Sequence, residues 1–578
     1  MKTINPMKAR NIFLIIALLL SASSFAQHNE EVTIEGSYRP KVNKVDKILM
    51  NPDAPTPSFT LPSSEVHVMD VEHQFKLDLD KMTALTYKSK DEQQERAEKN
   101  FLMAAFGTRV SPVFLYRHNS NLTRRLALGV GIQHYSSWLG IKDYAPSGFM
   151  NNAVEIGLSG NAFGNMQVGG KVYYKNDVYH YYGVKTDEWT GSSAALDHAA
   201  PRQTYNTIGT HLGMASTTTR NGEFVHDAGL DYHYLFGKLD DGGKEHFAKL
   251  DYDLSRSNNW WGKKETPQKL GVAMSLQYGY TAFAGNIGDD RLLFKLNPYL
   301  EMKDDFYRLR LGVRADVATT FESTTDLITV HPDVKGSLFV LDNTLEFYAG
   351  LNGGRKLISY SDLVSENPFV ATRLNMEVTN VKLGFDGGIR TNIMNTMDVH
   401  VGVRYRHTDN DLFYRQSLAP MTALTVDYPY NSFDLVYDET RTVSVLGNIR
   451  WLALDKLTVD LGMVYNKYTL ANERHAWYRP SFEADLKLDY QFNDDLAFNA
   501  SFLYQGGRWA ERVPTNTSLT YDVKLPDVID LALGADYKLK DRLTVFAKAD
   551  NLFHRKYQLY LDYPVTGIEL FAGLKMAF

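Results

Sequence analysis

Cysteine is absent from all 578 residues. Disulfides, a thiol nucleophile and a cysteine-borne lipid anchor are thereby excluded. Long apolar runs are equally scarce. The run Ile12–Leu20 falls well short of the roughly eighteen residues a membrane helix requires, and the mean hydropathy of −0.32 excludes a helical membrane protein. Charge of one sign is not in excess either: 62 basic residues face 68 acidic ones, for a net charge of −6, so no nucleic-acid partner is expected. There is no Gly-x-Ser-x-Gly and no spacing that singles out a histidine, so no enzyme, catalytic residue or cofactor is expected. His67 and His73 share one strand face, but six residues separate them, and both ligand number and spacing are wrong for a metal. Finally, no Pro/Gly/Ser-rich linker divides the chain after about residue 100. A soluble chain of this length would ordinarily split into several domains. One large repetitive architecture fits better.

What is present begins with an address. Lys2, Lys8 and Arg10 precede the apolar run, and Ser24-Phe25-Ala26 follows it. Charged, apolar and then small is the order of a secretory signal, with cleavage expected after Ala26. Aromatic residues are plentiful, with 35 Tyr and 30 Phe against 7 Trp, which suits the girdles of a membrane barrel.

Backbone polar groups cannot go unpaired in lipid, so strands span a membrane only as a closed barrel. Such strands show period-two hydrophobicity over about ten residues. In Tyr307–Val317, Tyr307, Leu309, Leu311, Val313, Ala315 and Val317 alternate with Arg308, Arg310, Gly312, Arg314 and Asp316. Met397–Arg406, Lys456–Asn466 and Phe482–Tyr490 repeat the pattern. Soluble β-sandwich strands are usually about half as long. Short connections (Leu341–Asn343, Leu454–Lys456, Phe492–Asp495, Lys538–Arg542) alternate with long ones (Lys185–Thr204, Lys356–Asn375, Gln416–Ser432, Trp509–Leu525). Short periplasmic turns and long extracellular loops are the bacterial arrangement. The fold expected is all-β: a transmembrane antiparallel β-barrel of about 22 strands over residues 100–578. A short, mostly irregular segment over 27–99 precedes it, with one short strand at Val66–Val71, after a signal peptide over 1–26.

The last segment alternates to the end, with Ile568, Leu570, Ala572, Leu574, Met576 and Phe578 on one face. A final strand must pair with the first to remove the sheet edge, so Leu570, Leu574, Met576 and Phe578 are the expected closing residues. A terminal Phe in this phase resembles the signal read by the barrel assembly machinery of outer membranes. The stretch Lys548–Tyr557, with Asn551-Leu552-Phe553 followed by charges and Tyr, resembles the penultimate strand and last loop of TonB-dependent receptors. Asp562-Tyr563-Pro564 and Gly567 fit the same resemblance, and Phe101–Tyr116 looks like that family's first hairpin. Glu30–Pro40, carrying Val32, Ile34, Gly36 and Arg39, looks like the start of a receptor plug domain. A plug would need on the order of 100–150 residues, more than precede the barrel. The resemblance therefore implies a plugless barrel of this type, from a Bacteroidetes-like host, in the cell outer membrane. It implies a passive or partner-gated solute transporter, or alternatively a non-transporting subunit scaffolding a larger assembly.

A wide barrel without a plug must be filled by something else: the N-terminal segment, inward-folded loops or a partner. Expected partners are outer-membrane lipid, the assembly machinery, and a surface lipoprotein or other outer-membrane protein. Arg308, Arg310, Arg314, Arg404 and Arg406 are expected to face the lumen. There they either guide an anionic solute or pair with Asp316, Asp398, Asp460, Glu483, Asp485 and Asp489 in a charge lattice. Trp189, Tyr428, Tyr430, Trp509 and Tyr521 are expected in loops, where they either contact a sugar or a partner or pack there and in the girdles.

Overall fold

The computed structural model describes residues 99–578 apart from 163–164, 190, 218–220, 240–242, 261–265, 284–287, 321–327, 341–343, 395, 419–428 and 514–519. The signal peptide, Val32, Ile34, Gly36, Arg39, the Val66–Val71 strand with His67 and His73, the turn Leu341–Asn343 and Tyr428 all lie outside the described residues.

Among those residues, twenty-two antiparallel strands form one closed sheet. The barrel strands run as β1 (Asn100–Gly107), β2 (Ser111–Thr123), β3 (Leu126–Ser137), β4 (Phe149–Ala162), β5 (Met166–His180), β6 (Arg202–Ser216), β7 (Phe224–Gly237), β8 (Lys244–Asn258), β9 (Gln268–Ala282), β10 (Asp289–Lys303) and β11 (Tyr307–Thr320). They continue as β12 (Ile328–Val340), β13 (Leu345–Leu357), β14 (Val378–Ile393), β15 (Met397–Leu418), β16 (Asn431–Leu454), β17 (Leu457–Leu470), β18 (Phe482–Gln491), β19 (Leu496–Gly506), β20 (Val528–Lys540), β21 (Leu543–Asp550) and β22 (Glu569–Ala577). Each strand pairs with its sequence neighbour, and β1 closes on β22 with Leu102 opposite Met576 and Ala104 opposite Leu574. Asn100 and Phe578 exchange backbone hydrogen bonds of 2.8 and 2.9 Å at the last rung. Closure leaves the ladder without an edge.

The alternation sorts side chains as lipid and water demand. On β11, Leu311 and Val313 are exposed outward while Asp316 is fully buried on the other face. Val401 and Val403 of β15 likewise point out. Phe306, Trp451, Tyr490, Phe492, Phe498, Tyr537 and Phe578 form an exposed aromatic row at the end carrying Asn100 and Phe578. A second row near the opposite end includes Tyr232 and Tyr278, with the Tyr232 hydroxyl 2.9 Å from His246 Nδ1. Two such rows are the girdles of a membrane barrel. No helix among the described residues is long and apolar enough to cross a membrane.

Connections follow the same polarity. Arg124-Arg125 and Asp541-Arg542 are tight turns at the Phe578 end, whereas 181–201, 358–377, 507–527 and 551–568 are long and lie at the other. The turn expected over Lys538–Arg542 is shorter, because β20 continues to Lys540. The strand expected over Met397–Arg406 is instead longer, with 22 residues in β15 and 24 in β16. Beyond the lipid both faces meet water, so this extension carries no alternation that could reveal it. A register shift between Thr408 and Asp411 marks its base.

Candidate functional site

The long connections do not trail into solvent. Loop 181–201 carries helix α1 (Ser193–Ala199), capped by the Ser192 hydroxyl accepting from Ala195 N at 3.2 Å. Loop 358–377 carries α2 (Tyr360–Glu366), which begins with a capping box between Ser359 and Asp362. Glu245 of β8 adds a second anchor, accepting from Tyr360 N at 2.6 Å and Ser361 N at 3.1 Å. A carboxylate at a helix N-terminus is favoured by the dipole there. Its burial is offset by His233 at 3.1 Å and Arg291 at 3.8 Å. Loop 358–377 is thus fastened to a strand five positions away around the wall.

From these anchors the loops meet one another. The Tyr181 hydroxyl donates to Val370 O at 2.6 Å, Tyr205 to Pro368 O at 3.2 Å, and Tyr182 to Pro564 O at 3.0 Å. Tyr560 donates to Glu366 O at 3.1 Å. The Phe369 and Tyr563 rings stack at 4.0 Å, and Tyr182 meets Phe369 edge-on at 5.5 Å. The three loops concerned follow β5, β13 and β21, and so stand eight, eight and six strands apart on the ring of twenty-two. Points so spaced on a closed wall touch only across its mouth. The contacts are therefore chords, and together they form a dome over the lumen. Its interior is one buried aromatic cluster that also takes in Phe413, Phe433, Trp477 and Tyr478. Rings at these separations add about 0.5–1.5 kcal/mol per pair beyond their burial.

Polar groups lock the dome. Asn431, fully buried at the head of β16, donates to Gly183 O at 3.0 Å and Leu561 O at 3.3 Å, while its own carbonyl accepts from the Tyr563 hydroxyl at 2.6 Å. Gly183 must be glycine, since a Cβ there would stand 2.4 Å from the Tyr563 ring. Arg508, with no exposure, donates to the carbonyls of Gln558 at 2.8 Å and Pro526 at 3.0 Å, and burial pushes its pKa down to about 10. Arg479 forks onto Asp411 at 2.8 Å through both terminal nitrogens. Burial would lower its pKa, but the Asp411 charge and hydrogen bonds raise it instead. Glu366, at the end of α2, is raised to about 7 by burial, against the pull of the Arg479 charge.

The five arginines expected to face the lumen are engaged. Arg310 contacts Glu301 at 2.5 Å and Asp333 at 2.9 Å, and lies 3.7 Å above the Tyr299 ring. Arg404 and Arg406 share Asp386 at 3.0 and 2.9 Å. Arg314 donates to Gly353 O at 2.8 Å, and Arg308 lies 5.0 Å over Phe339. The carboxylates in these pairs are Glu301, Asp333 and Asp386, not the six named from sequence. Glu301 and Asp386 stand directly opposite Arg310 and Arg404 in the strand register, and opposite positions interact most strongly. Register is what sequence alone did not supply. Asp316 instead accepts from Arg355 N at 2.7 Å, and Asp398 from Asn392 at 2.7 Å.

Of the aromatic loop residues, Trp189 packs edge-on against Tyr430 at 5.8 Å, Trp509 stacks on His475 at 4.3 Å, and Tyr521 is exposed. The residues that build the dome centre, Tyr181, Tyr182, Phe369, Tyr560 and Tyr563, escaped the sequence reading. Two signals could have found them: Tyr179-His180-Tyr181-Tyr182, and Tyr557, Tyr560 and Tyr563 within seven residues of one loop. His407, Asp409 and Glu439 also converge near the tops of β15 and β16. Lys382 already sits 2.6 Å from Asp409 and 3.8 Å from Glu439, where a cation would stand.

No family model matches the chain, and no curated protein is similar to it in sequence. Solved structures do share its fold. The ferric-catecholate import receptor Fiu of E. coli K12 aligns with a TM-score of 0.60 at 9% identity, covering 84% of this chain and 82% of that one. The siderophore receptor PirA of Acinetobacter baumannii aligns at 0.62 with 10% identity, over 84% and 81%. The FrpB iron transporter of Neisseria meningitidis aligns at 0.62 with 11% identity, over 84% and 82%. At such identities the likeness is one of fold.

Proposed function

We propose that the protein is a Gram-negative outer-membrane barrel that conducts a solute, and that its own loops close its extracellular mouth until a partner opens them. The membrane assignment rests on the apolar outer face, the two aromatic rows and the secretory pattern of residues 1–26. Solved receptors and transporters of the same fold, named for siderophores or iron, support transport as the task. The observation that carries gating is the dome, whose chords cross the mouth from three evenly spaced loops. Passage requires them to part. The reading of the barrel as TonB-dependent-receptor-like is supported by the resemblance of Lys548–Tyr557 and of the closing segment Ile568–Phe578. A surface lipoprotein seated on the loops is the partner that best suits this geometry.

Dye efflux from liposomes tests the reading. The full chain should hold a small dye, and Phe369→Ala with Tyr563→Ala should release it. Free efflux through the unaltered protein would refute closure by the loops.

The height of β15 and β16, at 22 and 24 residues, favours a second reading, in which the barrel anchors a larger assembly. A stoichiometric partner recovered from membranes, with no conductance in any variant, would select it.

A further inference from the structure

The barrel wall is of unequal height. At the closure seam β21, β22 and β1 have 8, 9 and 8 residues. At about 3.3 Å per residue and a tilt near 45°, eight residues span roughly 19 Å of membrane. That is less than the apolar band of about 25 Å on barrels of this kind. Residues just above the strands complete the band: Val110, Trp138, Leu139, Phe553 and Ile568 are all exposed there.

Below them the outer wall is hollowed. Ala535, Ala547 and Ala572 stand side by side on β20, β21 and β22, with Phe498 and Phe106 at the two ends of that row. The two rings wall an apolar cavity of about 620 Å³ that reaches up to Leu570 and Thr108.

Above the Ala549–Leu570 rung the turn after β21 returns to the wall, where His554 Nδ1 accepts from Ile568 N at 3.4 Å, and it presents His554, Arg555 and Lys556 in succession, all exposed. It is held rigidly. Asn551 donates to Arg555 O at 2.9 Å and Thr566 O at 2.7 Å, and accepts from Arg555 N at 3.1 Å. The His554 ring lies so close to Gly567 that a Cβ there would stand 2.6 Å from it. Among the described residues no carboxylate pairs with Arg555 or Lys556.

We propose that this seam binds one anionic lipid of the surrounding outer leaflet, its acyl chain in the alanine-floored cavity and its phosphate on Arg555 and Lys556. An apolar groove that opens under an unpaired cationic turn, at membrane level, matches the two ends of such a lipid and no other occupant as well. At the seam loop residues rather than ladder complete the apolar band, and a lipid held there covers the wall where its strands are shortest.

The inference rests on the membrane reading of the wall, and its test separates the two. The full-length protein, stripped of lipid in detergent, is titrated with dioleoyl phosphatidylglycerol or dioleoyl phosphatidylcholine, and bound lipid is counted by native mass spectrometry. One phosphatidylglycerol should be retained in preference. R555Q with K556Q should weaken it about thirtyfold, the loss expected of two cations at a lipid surface, and leave phosphatidylcholine unchanged. Ala547→Trp, or the smaller Ala547→Leu, should lower retention of both lipids while the folded band on unheated gels persists. Equal retention of the two lipids, or an unchanged preference in the double variant, overturns the proposal. A chain that stays dispersed without detergent overturns the membrane reading instead.

Discussion

Phe369→Ala removes the ring at the centre of the dome. That ring is fully buried, stacks on Tyr563 at 4.0 Å, and meets Tyr182 at 5.5 Å and Tyr181 at 6.3 Å. Truncation of a buried Phe costs about 3–5 kcal/mol. No barrel ladder includes Phe369, so the cost should fall on dome opening alone. The open fraction should therefore rise roughly 150- to 5,000-fold, at 1.36 kcal/mol per tenfold. Amide exchange reads this directly. Ala371 N, bonded to Phe433 O at 2.9 Å, and Val565 N, bonded to Tyr557 O at 3.0 Å, should lose protection by that factor. Amides in the β10–β11 ladder should not change. If the two loop amides keep their protection, the loops do not depend on one another. If the ladder amides loosen in step, the dome is not a separable unit.

Dome opening should also depend on pH. The Glu366 pKa is raised to about 7, so its stabilising contribution is complete below the ordinary carboxyl value near 4.5 and is lost as pH rises through 7. Dye efflux should increase from pH 5 to pH 8, and Glu366→Gln should flatten that dependence. Arg508→Met leaves the carbonyls of Gln558 and Pro526 without their donor, at about 1–3 kcal/mol for each buried group left unpaired. Limited proteolysis should then cut 507–527 and 551–568 while the barrel survives. Leu311→Lys, on the lipid face of β11, should destabilise the barrel by about 2–4 kcal/mol in a folding titration, whereas Arg308→Gln on the lumen face should cost far less. Deleting Phe578 removes both backbone hydrogen bonds to Asn100 and the bond that Asn100 Nδ2 donates to its carbonyl at 3.0 Å, and the fraction of folded barrel on unheated gels should fall.

The barrel was legible because lipid imposes a period. Leu311 and Val313 had to face out once Arg310 and Arg314 faced in, and the same rule located β17, β18 and the closing strand. Above the lipid the rule lapses, so the upper half of β15 was missed. The charge lattice was legible as a class but not as pairs, since a one-residue slip in register would exchange every partner of Arg310. The dome was illegible for another reason. Its tyrosines are brought together from loops up to 382 residues apart, as Tyr182 and Pro564 are, and nothing local specifies such a meeting. The glycine at 183 is comprehensible only once the Tyr563 ring is seen above it.

The rung that joins Asn100 to Phe578 has a temporal consequence. Its partners lie 478 positions apart, so the sheet stays an open ribbon with two bare borders until β22 reaches β1. Non-local pairings of this kind are slow to form, and unpaired borders invite wrong neighbours. The lifetime of that unsealed ribbon is therefore governed by the strand made last rather than by the one made first.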